Sequence, residues 1–159
     1  MMQQTHGTFG ALPGLPDPVR DAQFYDGVPS RRFAAWLIDL VLILAVGVPV
    51  ALVFGVATFG IGFALFPFII AIVGFFYRVA TITSGSATWG MRVMGVELRR
   101  HDGSRFDATT AVLHTLIYTA ALWTVFLQLL SCLTILFSAH RQGLNDIILR
   151  TTAINRPTE

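Results

Sequence analysis

Three apolar runs dominate the chain. Between residues 33 and 54 the only ionisable side chain is Asp39. A helix over that stretch would be ~33 Å long at 1.5 Å per residue, enough to cross a ~30 Å hydrocarbon core. Gly47 and Pro49 lie inside it, where a membrane helix tolerates them because neighbouring groups satisfy the freed carbonyl. Residues 55–60 begin and end with glycine and carry no charge, which suits a tight reversal. A second run, 61–77, ends at Arg78. The third, 109–138, contains neither Gly nor Pro; as one helix it would be ~45 Å long, so it must tilt, emerge from the hydrocarbon or divide.

The intervening loop, 78–108, has a different texture. Thr81, Thr83, Ser84, Gly85, Ser86 and Thr88 are followed by the alternating residues 93–98 and by the turn signal His101-Asp102-Gly103-Ser104, the pattern of a short β-hairpin outside the lipid. Residues 1–30 are rich in Pro and Gly and lack the apolar stretch of a cleavable secretory signal, so they read as a flexible polar tail; 155–159 form a short C-terminal tail. The expected fold is therefore all-α and transmembrane: a domain over 31–154 with spans at 33–54, 61–77 and 109–138, the third continuous or re-entrant.

Composition agrees with a bilayer as solvent. Of 159 residues 54% are hydrophobic and 13% charged, roughly half the charge of a soluble domain, and the mean hydropathy is +0.66. Eleven Arg, no Lys and nine acidic residues leave a net charge of +2, too little for a nucleic-acid footprint. The single cysteine, Cys132, excludes a disulfide framework and reads as a small core residue. Arg31 and Arg32 precede the first run, and Arg92, Arg99, Arg100 and Arg105 fall between the second and third. Two crossings put both sets on one face, the cytoplasmic one, together with the N-terminus. A single third crossing would strand Arg141, Arg150 and Arg156 on the opposite side; a re-entrant third segment would return them. The absence of turn residues favours continuity and the arginines favour return.

Few residues carry chemistry. A carboxylate at Asp39 costs ~2.5 to 3.5 kcal/mol near mid-bilayer and calls for a partner. Arg32, seven residues earlier, shares its helix face, with the two heads starting ~10 Å apart; the alternative is a snorkelling arginine and a solvated aspartate at the membrane edge. His114, Tyr118, Ala121, Val125, Gln128 and Cys132 recur at spacings of three and four along the third run, a stripe for interhelical packing or, through His114, for a proton or cation path. Arg31, Trp36, Tyr77 and Arg78 sit at span ends as interface anchors. No metalloprotease helix, phosphate-binding loop or nucleophile elbow is present, so no catalytic, metal or cofactor site is expected.

Three motifs then stand in order. Arg32-Phe-Ala-Ala-Trp-Leu-Ile-Asp39, Thr88-Trp-Gly-Met-Arg-Val-Met-Gly-Val96 with Asp102-Gly103, and His140-Arg-Gln-Gly-Leu-Asn-Asp146 with Thr151 together resemble the RDD family of small bacterial membrane proteins, named for one arginine and two aspartates. The sequence differs from the family pattern at Met91, His114, Asn145 and Arg150. The resemblance implies Arg32, Asp39 and Asp146 as the named triad, and transport is suggested for some of the family. Arg32 can tie both aspartates together, provided the C-terminal segment returns to its face.

The function expected is that of a non-enzymatic, multi-pass protein of the bacterial cytoplasmic (inner) membrane. It would act as an accessory or assembly subunit whose Gly- and Phe-rich spans pack on a larger membrane complex. The alternative is a homo-oligomeric ion or small-solute transporter using Arg32, Asp39 and His114. The partners expected are the lipid bilayer and other membrane subunits or further copies of the chain, with no nucleic acid.

Overall fold

A computed structural model describes residues 14–156. Helix α1, Val28–Ala57, starts behind Gly27, whose φ of 67° is a left-handed start a side chain would resist, and has Pro29 in its first turn. Beyond Val28 its buried residues, Ala35, Asp39, Ile43, Gly47, Ala51 and Gly55, fall every fourth position on one face. Most of them are small, so the next helices approach closely: a Cβ on Gly47 would lie 2.7 Å from Ile70 and one on Gly55 2.3 Å from the Phe63 ring. Asp39 is the single charge on that stripe.

The chain reverses through a left-handed Gly60 and a short 3-10 turn, Ile61–Leu65, into α2, Phe66–Gly85. Both α1 and the stretch through α2 are long and apolar enough to cross a membrane. A five-residue helix α3, Trp89–Val93, and strand β1, Val96–Arg100, follow. Then come α4, Ala108–Leu122, and α5, Val125–Phe137, then α6, Leu144–Leu149, and strand β2, Thr151–Asn155. The large apolar side chains on the long helices face outward, with Val53 71% and Phe126 72% exposed. Water would not tolerate so broad an apolar surface, and lipid does.

The third apolar run is divided. The chain bends by 118° between α4 and α5, with Thr124 extended at the corner (φ −116°, ψ 97°). No local turn signal marks the break; the ends of the run are held from elsewhere. Asp107 caps α4 by accepting from Thr110 N (2.7 Å), Trp123 stacks on Phe68 of α2, and Ser131 Oγ of α5 accepts from Leu144 N at the start of α6 (3.0 Å). A single straight crossing over 109–138 is thereby replaced by a bent pair. The fold also breaks the stripe drawn along one continuous helix: His114 and Ala121 are buried, while Val125 is 73% exposed. Cys132, read as a core residue, is exposed on α5 for the same reason.

Strand β1 is present without a local hairpin. The 101–104 turn closes, with Arg100 N donating to Ser104 O (3.0 Å), but the residues beyond it are committed elsewhere. Phe106 is buried and its N–H donates to Ser86 Oγ (2.6 Å), and Asp107 caps α4. The partner of β1 is β2, antiparallel, with Val96 opposite Asn155 and Arg100 opposite Thr151. Around this ribbon Val28, Ile82, Met91, Leu98, Phe106 and Ala153 form a compact core against the ends of the long helices. The supposed tail is anchored from Gly14 onward. Gly14 N donates to His101 O (2.9 Å), Tyr25 Oη donates to Pro16 O (2.9 Å), and Asn155 Nδ2 donates to the carbonyls of Gln23 and Asp26 (both 2.8 Å). Residues 1–13 of that tail and 157–159 of the C-terminal one lie outside the described residues.

The start of α1, the α2–α4 connection and the C-terminal strand thus lie together at one end of the molecule. In a Cys132→Ser background, single cysteines placed at Ser30 and at Arg156 should both react with a membrane-impermeant maleimide from the same side of sealed vesicles. Reaction from opposite sides would rule out the folded-back third segment.

Candidate functional site

The polar residues expected to gather form two separate clusters joined by a cleft. In the first, Asp39 of α1 is 2% exposed and accepts three hydrogen bonds. Oδ1 takes Tyr77 Oη (2.6 Å) and the backbone N–H of Gly90 (2.9 Å), and Oδ2 takes Thr88 Oγ1 (2.6 Å). The Thr88 oxygen also caps α3, accepting from Met91 N (3.2 Å), so one hydroxyl both starts a helix and ties it to α1. Gly90 is required by proximity, because a Cβ there would lie 2.2 Å from the Ala35 carbonyl oxygen. Arg32 makes no ion pair with Asp39 among the described residues. The seven-residue spacing puts them on one helix face without bringing them together.

The second cluster centres on Asp146, which is fully buried. Its Oδ2 meets Arg32 Nη1 at 2.6 Å and accepts from Gly143 N (3.0 Å), while Oδ1 lies 2.9 Å from His114 Nε2 and accepts from Thr151 Oγ1 (3.3 Å). Burial pushes this carboxyl toward its neutral form, but the Arg32 guanidinium, His114 and the Gly143 N–H outweigh burial and hold it well below the usual carboxylate range. Asn145 Nδ2 lies 2.7 Å from the same histidine nitrogen, so that ring nitrogen is shared between the Asp146 carboxylate and the amide, and the imidazole tautomer sets which of the two it bonds. Arg32, His114 and Asp146 therefore meet, drawing α1, α4 and α6 to one point, whereas Asp39 holds a separate junction of α1, α2 and α3.

The residues expected at the membrane interface each hydrogen-bond to other parts of the protein. Tyr77 serves Asp39. Trp36 Nε1 donates to Tyr118 Oη (3.0 Å), and Arg78 donates to the same oxygen (3.3 Å) with its guanidinium 4.1 Å from the Tyr118 ring centroid. Arg31 donates to the Met94 carbonyl (3.3 Å), fastening α1 to the turn before β1. Sequence reasoning missed Thr88, Gly90, Asn145 and Thr151 as partners. Only Thr88 carried a signal, as a cap residue ahead of a short helix; the others act through backbone position or across long sequence separation.

A cleft of about 680 Å³ opens between α1 and the bent α4–α5 pair, with Arg32, Asp39, Arg78, His114, Tyr118 and Asn145 among its lining residues. Among the described residues no three His, Cys, Asp or Glu side chains converge to hold a metal ion. The cleft can present cations, a carboxylate and hydroxyls to a solute or a headgroup.

Compared with known proteins, the chain matches the sequence model of the RDD family over residues 27–150. No match is found among curated proteins or among solved structures.

Two substitutions test the junctions. Asp146→Asn leaves Arg32 without its counter-charge and should lower unfolding stability in detergent by on the order of 3 kcal/mol. Because the folded-state pKa of Asp146 lies below the unfolded value of about 3.9, its contribution is present above that pH and is lost as the pH falls through and below it. The acid-induced drop in melting temperature should therefore be smaller in Asp146→Asn than in the natural chain. Gly90→Ala should cost about 1–3 kcal/mol by forcing α3 away from α1, and an unchanged melting temperature would show that α3 does not sit against Ala35.

Proposed function

The chain belongs to the RDD family and is a membrane protein; from that premise we propose that it is a non-enzymatic accessory or assembly subunit of a larger complex in the bacterial inner membrane. The observation that supports this reading is the saturation of both aspartates by the fold itself: Tyr77, Thr88 and Gly90 on Asp39, and Arg32, His114, Gly143 and Thr151 on Asp146. Carboxylates so fully engaged act as clasps between elements. They hold a small polar cap on a hairpin of apolar helices, leaving wide outward apolar faces on α1 and α5 for other membrane subunits.

The orientation proposed places the N-terminus and the cap in the cytoplasm and makes the protein multi-pass. Every arginine except Arg78 belongs to the segment before α1, the first turn of α1, the cap, or the residues after α5, in accordance with the positive-inside tendency.

A second reading, a homo-oligomeric transporter of ions or small solutes, is favoured by the cleft that reaches Arg32, Asp39 and His114. The two diverge experimentally. Purified at native abundance in mild detergent, an accessory subunit should carry a stoichiometric partner, and a lone 17.4 kDa species would count decisively against it. In vesicles containing the pure chain, cation flux that disappears in a folded Asp39→Asn variant would establish the transporter instead.

A further inference from the structure

Arg78 lies on the spanning stretch Ile61–Gly85, and among the described residues it has no ion pair. Its guanidinium stacks on Tyr118 and donates to that hydroxyl, contacts that orient the cation without neutralising it. An uncompensated charge at a membrane level is costly, and a guanidinium held on an aromatic face still offers its outer N–H fork to an anion.

Arg78 also stands where two hollows meet. It lines the polar cleft described above, and it lines a second groove of about 430 Å³ between α1, α2 and α4, whose walls include Ile43, Phe66, Ile70, Leu122 and Trp123. Along α2 that groove runs from Arg78 to Phe66. Those 12 positions (78 − 66) correspond to ~18 Å of helix, close to the ~15 Å depth of one leaflet of the hydrocarbon core. A cation thus sits at the head of an apolar slot one leaflet deep.

We propose that this groove binds an anionic phospholipid of the surrounding bilayer, its phosphate on Arg78 and one acyl chain against Ile43, Ile70 and Trp123. The Arg–phosphate contact supplies the missing counter-charge through charge-assisted hydrogen bonds. The chain fills an apolar hollow that the protein's own side chains leave open. The proposal requires residence in a membrane and does not depend on whether the protein serves as a subunit or a transporter.

Two native tryptophans, Trp36 and Trp123, line the groove, while Trp89 is exposed on α3 and can be silenced as Trp89→Phe. In that background, the full chain is reconstituted in phosphatidylcholine vesicles containing an increasing fraction of lipid brominated on its acyl chains, either phosphatidylglycerol or phosphatidylcholine. Brominated phosphatidylglycerol should reach half-maximal quenching at a roughly fivefold lower fraction. Arg78→Gln should abolish that preference while leaving quenching by the choline lipid unchanged, and Arg150→Gln, an equal loss of charge at an exposed site, should retain it. Ala71→Phe, which narrows the groove without touching the charge, should also abolish it, so the proposal remains testable if Arg78→Gln fails to fold. Equal quenching by the two lipids overturns the proposal. So does a preference that survives both Arg78→Gln and Ala71→Phe, displacement by inorganic phosphate alone, which would mean a free-anion site, or equal protection from both lipids that scales with dimer formation, which would mean a second copy in the groove.

Discussion

A carboxylate withdrawn from water must be met by enough donors to replace its hydration, and two such carboxylates organise this protein. Asp39 is 2% exposed and Asp146 not at all, and an unpartnered charge at either place would oppose folding by several kcal/mol. Each therefore fixes the position of whatever satisfies it. Asp39 draws the Tyr77 hydroxyl of α2 and the first turn of α3 to α1. Asp146 draws Arg32 from the other end of the domain and His114 from α4. Remove these two demands and the cap loses the buried polar junctions that tie it to α1, α2 and α4.

The apolar part obeys a different rule. Lipid is as apolar as a leucine side chain, so burying such groups gains little there, and close backbone approach takes over. The small residues Gly47, Ala51 and Gly55, spaced four apart on α1, serve that purpose, admitting Ile70 and Phe63 at distances a larger side chain would forbid. The two rules meet between the apolar hairpin and the cap, where Tyr77 bonds Asp39 and, separately, Trp36 and Arg78 bond Tyr118. That region borders the cleft and is the natural place for chemistry with headgroups or solutes.

The bent third segment connects the two. A straight α4–α5 would carry α6 and β2 away from Arg32 and β1, leaving Asp146 and the edge of β1 unsatisfied. Bending at Thr124 costs a few backbone hydrogen bonds, since Trp123 and Thr124 still donate to Thr119 and Ala121 carbonyls, and it permits the β1–β2 ladder and the buried ion pair together. The arrangement is chosen by what lies at the ends of the segment, not by the residues at the corner.

Sequence alone determined the features set by composition and period: three apolar runs, the long helices α1 and α2, a strand within residues 93–98, and the family through three ordered motifs. These are local properties, carried by a residue and its neighbours within a turn or two. Only the tertiary structure decided that the third run folds back, that β1 pairs with residues 151–155 rather than with its own turn, and that Arg32 meets Asp146 across 114 positions of chain while standing apart from Asp39 on its own helix. Such choices depend on which donors can reach a buried carboxylate or a strand edge once the chain is folded. That depends on distance in space, which periodicity along the chain does not encode.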